Sequence, residues 1–131
     1  GDWFGEVKKG ENYGWKILGW GGINYSGTKI GPKWKPGFTK AIKYWVPSIA
    51  ASAISIYKGK EFSEWNNTAL ITSLKDMSLR KIDFIDKTED TVEERIIFKN
   101  SIGRIRDIQI QPGTGVIFLL STTALWKMEK K

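Results

Sequence analysis

Two stretches of this chain can be laid over each other. Thr68-Ala-Leu-Ile-Thr-Ser followed by Leu79-Arg-Lys-Ile resembles Gly115-Val-Ile-Phe-Leu-Leu-Ser followed by Leu125-Trp-Lys-Met, at an offset of 47 residues in the first half and 46 in the second. A period of about 40–50 residues built from short strands is the signature of propeller blades. The second copy runs out after about three strands. The pattern predicts an all-β chain, a partial β-propeller of about two blades.

The strands can be placed by their isoleucine, valine and aromatic content between Gly, Asn, Asp, Ser and Thr boundaries. The expected segments are Ala53–Tyr57, Thr68–Ser73, Ser78–Ile85, Val92–Phe98, Ile105–Ile110, Val116–Ser121 and Ala124–Met128. Lys87–Asp90 and Pro112–Gly115 read as the clearest hairpin turns. Residues 1–48 differ: they hold ten of the 14 glycines, five of the seven tryptophans and three of the four prolines. Segments such as Gly19–Gly22 and Gly31–Gly37 are loop and turn sequences, with tryptophans as rigid packing pieces. The expected organisation is a Gly/Trp-rich loop connection over 1–52, one blade over 53–98 and a final incomplete blade over 103–129. The length of 131 residues suits one domain with a real core.

Composition removes several function classes. The chain has no cysteine and no histidine, which excludes disulfides, thiolate chemistry, an imidazole base and histidine-ligated metal within it. Net charge is +7, but only four of the 21 basic residues are arginine, at 80, 95, 104 and 106. Scattered lysines make a solvated surface a better reading than a nucleic-acid interface, which gathers arginine on one face. The longest apolar run, Val116–Leu120, is far below the roughly 18 residues that suggest a membrane span. No export pattern opens the chain and Gly1 is not a natural start, so the sequence reads as a piece of something longer.

A few residues do not fit a plain core. Strict alternation from Arg104 to Ile110 puts Arg104 and Arg106 on the face of Ile108 and Ile110. Charges there are costly unless they sit in solvent at the strand entrance, pair with a carboxylate such as Asp107, or bind an anion. In the last case the guanidinium forks suit a carboxylate or phosphate. Lys75 follows the uncharged run Ala69–Leu74, as a solvated strand end or an anion contact. Trp45 is either a core residue or a stacking plate for a flat ligand; Trp65 and Trp126 read as packing residues. Asp83, Asp86, Glu89 and Asp90 surround a turn that reads as a solvated loop ahead of a calcium site, because the ligand spacing is irregular.

The order of motifs resembles the C-terminal third of the glucose/sorbosone dehydrogenase family, the soluble quinoprotein aldose sugar dehydrogenases. The matching elements are Gly10-Glu-Asn-Tyr-Gly-Trp15, Asn24-Tyr-Ser-Gly27, Tyr44-Trp-Val-Pro-Ser-Ile-Ala50, Tyr57-Lys-Gly-Lys-Glu-Phe62, Trp65, Ser73-Leu-Lys75, Gly103-Arg-Ile-Arg-Asp-Ile108 and Gly113. The chain departs from the pattern at Lys16, where the family commonly has proline, and at Ala50–Ala53, where it commonly reads Ala-Pro-Ser-Gly. The acidic element is only loosely kept in Gly1–Val7.

The resemblance implies a six-bladed propeller that binds pyrroloquinoline quinone, PQQ, with calcium beside it. It further implies a histidine base that takes the proton of the sugar's anomeric hydroxyl. On it, Trp45 matches the residue that stacks on the cofactor, and Lys75, Arg104 and Arg106 match the basic residues that hold its carboxylates and quinone oxygens. The histidine and the calcium ligands belong to earlier blades, so no catalytic or metal residue is expected in this chain, which alone would be inactive.

The implied partners are an aldose and an external electron acceptor, with no nucleic acid and no membrane span. The implied location is the periplasm or outside the cell. Open sheet edges also make self-association an expectation. Two rivals are a non-catalytic propeller module binding carbohydrate, and a lysine-rich β-domain binding acidic polymers.

Overall fold

The β-branched and aromatic runs after residue 50 form strands, because such side chains fit a pleated, half-buried surface. The computed structural model describes residues 1–85 and 91–131, so the expected turn at Lys87–Asp90 lies outside the described residues. The chain divides into two units, Gly1–Ile49 and Ala50–Lys131.

In the second unit, β3 (Ala51–Ile56), β4 (Ala69–Ser73), β5 (Ser78–Phe84) and β6 (Val92–Lys99) form a four-stranded antiparallel sheet in chain order. β7 (Ile105–Ile110), β8 (Ile117–Ser121) and β9 (Leu125–Met128) form a three-stranded one. The expected turn at Pro112–Gly115 joins β7 to β8, with Gly115 N–H donating to Gln111 O at 2.9 Å.

The two sheets share one core of Tyr57, Phe62, Leu70, Leu79, Ile105, Ile108, Ile117 and Leu119. Burying each contributes about 1.5–3 kcal/mol. Trp65 packs against this core and stacks on Phe62 with ring centroids 4.6 Å apart, as expected of a packing residue. Trp126 does not: it lies 41% exposed on β9, its indole N–H held by Ser121 Oγ at 3.0 Å.

Polar contacts fasten the first strands of the two sheets at both ends. Near the start of β3, Ser52 Oγ donates to Ile105 O at 2.6 Å and meets Thr72 Oγ1 at 2.9 Å. Beyond its other end, the buried Tyr57 hydroxyl donates to Gly115 O at 2.8 Å and accepts the Phe62 N–H at 2.9 Å. Here glycine is required: a Cβ on Gly59 would stand 2.2 Å from Gly115 Cα.

Both first strands are bulged. The register skips from Ala51 to Ala53 in β3 and from Ile105 to Asp107 in β7. The second skip corrects the face assignment made from strict alternation. An extra residue at Arg106 shifts the phase, so Ile105 and Ile108 both enter the core while Arg104 and Arg106 stay exposed.

The first unit contains one short ladder, β1 (Asp2–Phe4) against β2 (Lys43–Trp45), antiparallel, with Trp3 opposite Tyr44. Aromatic contacts organise the rest. Trp3 stacks on Tyr13 at 5.1 Å, Trp20 on Tyr44 at 5.8 Å, and Trp34 Nε1 donates to Phe38 O at 2.9 Å. Trp15 is the exception, 90% exposed.

Candidate functional site

The register of the second unit brings three cations to one end of its first strands. Ala51 pairs with Ser73, and the Leu74 N–H donates to Ala50 O at 2.9 Å, so the β4–β5 turn sits beside the start of β3. Lys75 is in that turn and exposed. The Ser52 hydroxyl ties the same end of β3 to Ile105, between Arg104 and Arg106. Lys75, Arg104 and Arg106 therefore share a rim.

Among the described residues none of these three cations forms an ion pair. Asp107, which follows Arg106, is turned to its own strand, and Asp76, which follows Lys75, is engaged by Ser73, Ser78 and Arg80. Asp107 accepts the Ile108 N–H at 2.8 Å and the Gln109 amide at 3.5 Å. Exposed guanidinium and ammonium groups with no carboxylate partner among the described residues are suited chemically to an anion, and the two arginines to a bidentate one.

The turn that presents Lys75 rests on a charged network that sequence reasoning missed. Asp76 accepts from the Ser73 hydroxyl, from Ser78 Oγ at 2.8 Å and from the Arg80 guanidinium. Arg80 also pairs with Glu94 and donates through Nε to Ser78 Oγ at 2.9 Å. Lys99 Nζ stands 3.8 Å from Asp76. Arg80 is 7% exposed although it lies within a strand.

Burial pushes the Asp76 carboxyl up, but the hydrogen bonds from Ser73, Arg80 and Ser78 and the Arg80 charge outweigh it and hold it below its ordinary value. Burial likewise lowers Arg80, and Glu94 and Asp76 more than reverse that, raising it. Two serines, an aspartate and an arginine at 73, 76, 78 and 80 are the signal that could have marked the network. From sequence, Arg80 has no assigned role beyond its place among the four arginines.

Trp45 belongs to the first unit and is 8% exposed, with Lys43 Nζ 5.8 Å from its ring centroid. A groove of about 670 Å³ opens between Lys58–Lys60 and Pro112–Gly113, at the opposite end of β3 and β7 from the cation rim. Among the described residues no group of three or more aspartates or glutamates is placed to hold a metal ion. The irregular acidic turn at 83–90 lies mostly outside them. Nor is any helix there long and apolar enough to cross a membrane.

Comparison with known proteins gives a consistent result. The family model for glucose / sorbosone dehydrogenase matches residues 1–126. The aldose sugar dehydrogenase YliI of Escherichia coli (strain K12) is 34% identical over 125 residues, covering 92% of this chain and 32% of that protein. Quinoprotein glucose dehydrogenase B of Acinetobacter calcoaceticus is 31% identical over 80 residues, 60% of this chain and 17% of that protein.

Among solved structures, the soluble aldose sugar dehydrogenase of Escherichia coli in its apo-form superposes with a TM-score of 0.78 at 30% identity. It covers 94% of this chain and 36% of the other. A glucose dehydrogenase crystal structure gives a TM-score of 0.80 at 28% identity, covering 93% of this chain and 36% of that one. The chain spans about a third of the length of the first relatives it matches. Its two sheets are blades of a partial β-propeller.

Proposed function

Because the chain belongs to the glucose/sorbosone dehydrogenase family, we propose that the full-length protein is a PQQ-dependent aldose dehydrogenase and that this chain forms the anion-holding wall of its cofactor pocket. The reaction on this reading converts the anomeric carbon of an aldose to a lactone and passes two electrons to an external acceptor. PQQ, when bound, supplies the two-electron redox chemistry. The residues of this chain bind and orient it.

One observation carries the reading: Lys75, Arg104 and Arg106 are exposed at one rim without carboxylate partners among the described residues. PQQ is a flat tricarboxylate, so the donor set fits it. Arginine forks take carboxylates bidentately, and the lysine supplies a point charge that suits a carboxylate or a quinone oxygen. Trp45 enters on the resemblance, as the residue that stacks on the ring. The histidine base and the calcium ligands are supplied from outside this chain, which holds no histidine. The full-length protein is periplasmic or secreted on the same reading.

The test is dye reduction by the full-length protein with PQQ, calcium and a panel of aldoses, beside the Arg104→Ala/Arg106→Ala variant. Turnover that requires PQQ and falls at least about tenfold in the variant is expected, two charge-assisted contacts being removed. Sugar binding that needs no PQQ and survives the double substitution would replace this reading with a non-catalytic carbohydrate module.

A further inference from the structure

The Ser73–Arg80 segment raises a question that the rim alone does not. Lys75 is solvated and lies in a turn between two strands, where a long side chain on loose backbone would hold an anion poorly. The residue beside it, Asp76, is the one carboxylate of that turn and is heavily engaged. Asp76 collects the Ser73 and Ser78 hydroxyls and the Arg80 guanidinium, and Ser73 Oγ in turn accepts the Ser78 N–H at 3.0 Å. Arg80 is itself fixed from behind by Glu94 on β6. Both ends of the turn and its third residue are thus tied to one buried charge centre, and the only ionisable side chain of the turn left to solvent is Lys75.

A structural role alone needs less. The β8–β9 turn closes on Ser121 with neutral hydrogen bonds. We infer that Asp76, backed by Arg80 and Glu94, is a positioning residue that fixes the Lys75 turn for an anionic ligand. This rests on the reading of the rim as a PQQ-binding wall.

The experiment is a double-mutant cycle on the full-length protein, read as the Kd for PQQ in a fluorescence titration with no turnover involved. Lys75→Ala is expected to weaken binding about tenfold and Asp76→Asn about fivefold, the range of charged hydrogen bonds lost or misdirected. In the Lys75→Ala background, Asp76→Asn should then cost less than about twofold, because it acts through a side chain already gone. In an Arg104→Ala background its fivefold effect should persist. General loosening of the blade would instead make Asp76→Asn couple to both backgrounds.

Additive effects in the Lys75→Ala background, or an Asp76→Asn variant that binds like wild type, overturn the positioning role and leave the cofactor reading intact. A Lys75→Ala variant that binds PQQ like wild type removes Lys75 from the pocket, and the inference falls with it. If Asp76→Asn fails to fold, Ser78→Ala, which removes one donor to Asp76, runs through the same cycle with the same criteria.

Discussion

The two blades close their second hairpins in related ways and arm them differently. Ser73 ends β4 opposite Ala51, next to the Ser52 bulge; Ser121 ends β8 opposite Ile105, next to the Arg106 bulge. Each serine hydroxyl accepts backbone N–H groups of the following turn, from Ser78 in one blade and from Thr123 and Ala124 in the other. In the first blade the bulge holds a neutral serine and the turn holds Lys75. In the second blade the bulge holds Arg106, and Thr123 stands where Lys75 would be. Only the turn that carries a cation has a buried ionic network beneath it. The same frame thus offers two mounting points for positive charge, and each blade uses one.

The network is where the comparison breaks most easily. Arg80→Met leaves Asp76 and Glu94 half-buried without their shared cation, and should cost about 3 kcal/mol, read as a lower urea midpoint of the full-length protein. A shift no larger than that of a surface substitution would mean the network contributes little.

Next in size is a pH effect confined to the first blade. The folded-state value of Asp76 is depressed, so its contribution is fully present above the ordinary aspartate value of about 3.9 and is lost as pH falls through the lower folded value. Stability of the wild type should therefore fall faster below about pH 4 than that of Asp76→Asn, in thermal melts on a pH series. Parallel acid limbs would remove Asp76 as their source.

Ser121→Ala tests the neutral counterpart. It removes acceptor contacts to two backbone N–H groups and the Trp126 indole, for about 1 kcal/mol and with no added slope below pH 4. Smallest is Arg106→Ser, which gives the second blade the bulge residue of the first. An exposed, unpaired side chain should shift stability by less than about 0.5 kcal/mol, while PQQ affinity drops. A large loss of stability would show that Arg106 supports the fold itself.

The blades were legible because their strands are short apolar runs closed by turn-forming residues, and the boundaries of β7 match those read from the sequence. What escaped reading came from contacts that periodicity does not encode. β1 and β2 are three-residue strands about forty positions apart, with no alternation long enough to mark either. The extra residue at Arg106 reversed the apparent face of the arginines, since one inserted residue flips every side chain that follows.

Arg80 was hidden for a different reason. A charge in mid-strand signals solvent until its partners are known, and those partners lie on a turn and on β6. Arg104, Arg106 and Lys75 could be picked out by motif, yet their common rim depends on the Ser52–Ile105 and Leu74–Ala50 bonds. Neither bond has a local sequence signature.

The two fastenings between the sheets have a consequence for measurement at the molecular scale. Ser52 holds one end of the β3–β7 seam, and Tyr57, with the abutting Gly59 and Gly115, holds the other. A seam tied at both ends restrains the backbone at the starts of β3 and β7, so the backbone positions of Lys75 and the two arginines are expected to keep one spacing, as a fixed gauge does. Rigid aromatic dicarboxylates of graded length, competed one at a time against PQQ, should show one preferred spacing; equal affinity along the series would mean the span adjusts. A fixed gauge reads the distance between charges before it reads their number, so a stiff ligand of the right length outranks a floppy one of greater charge.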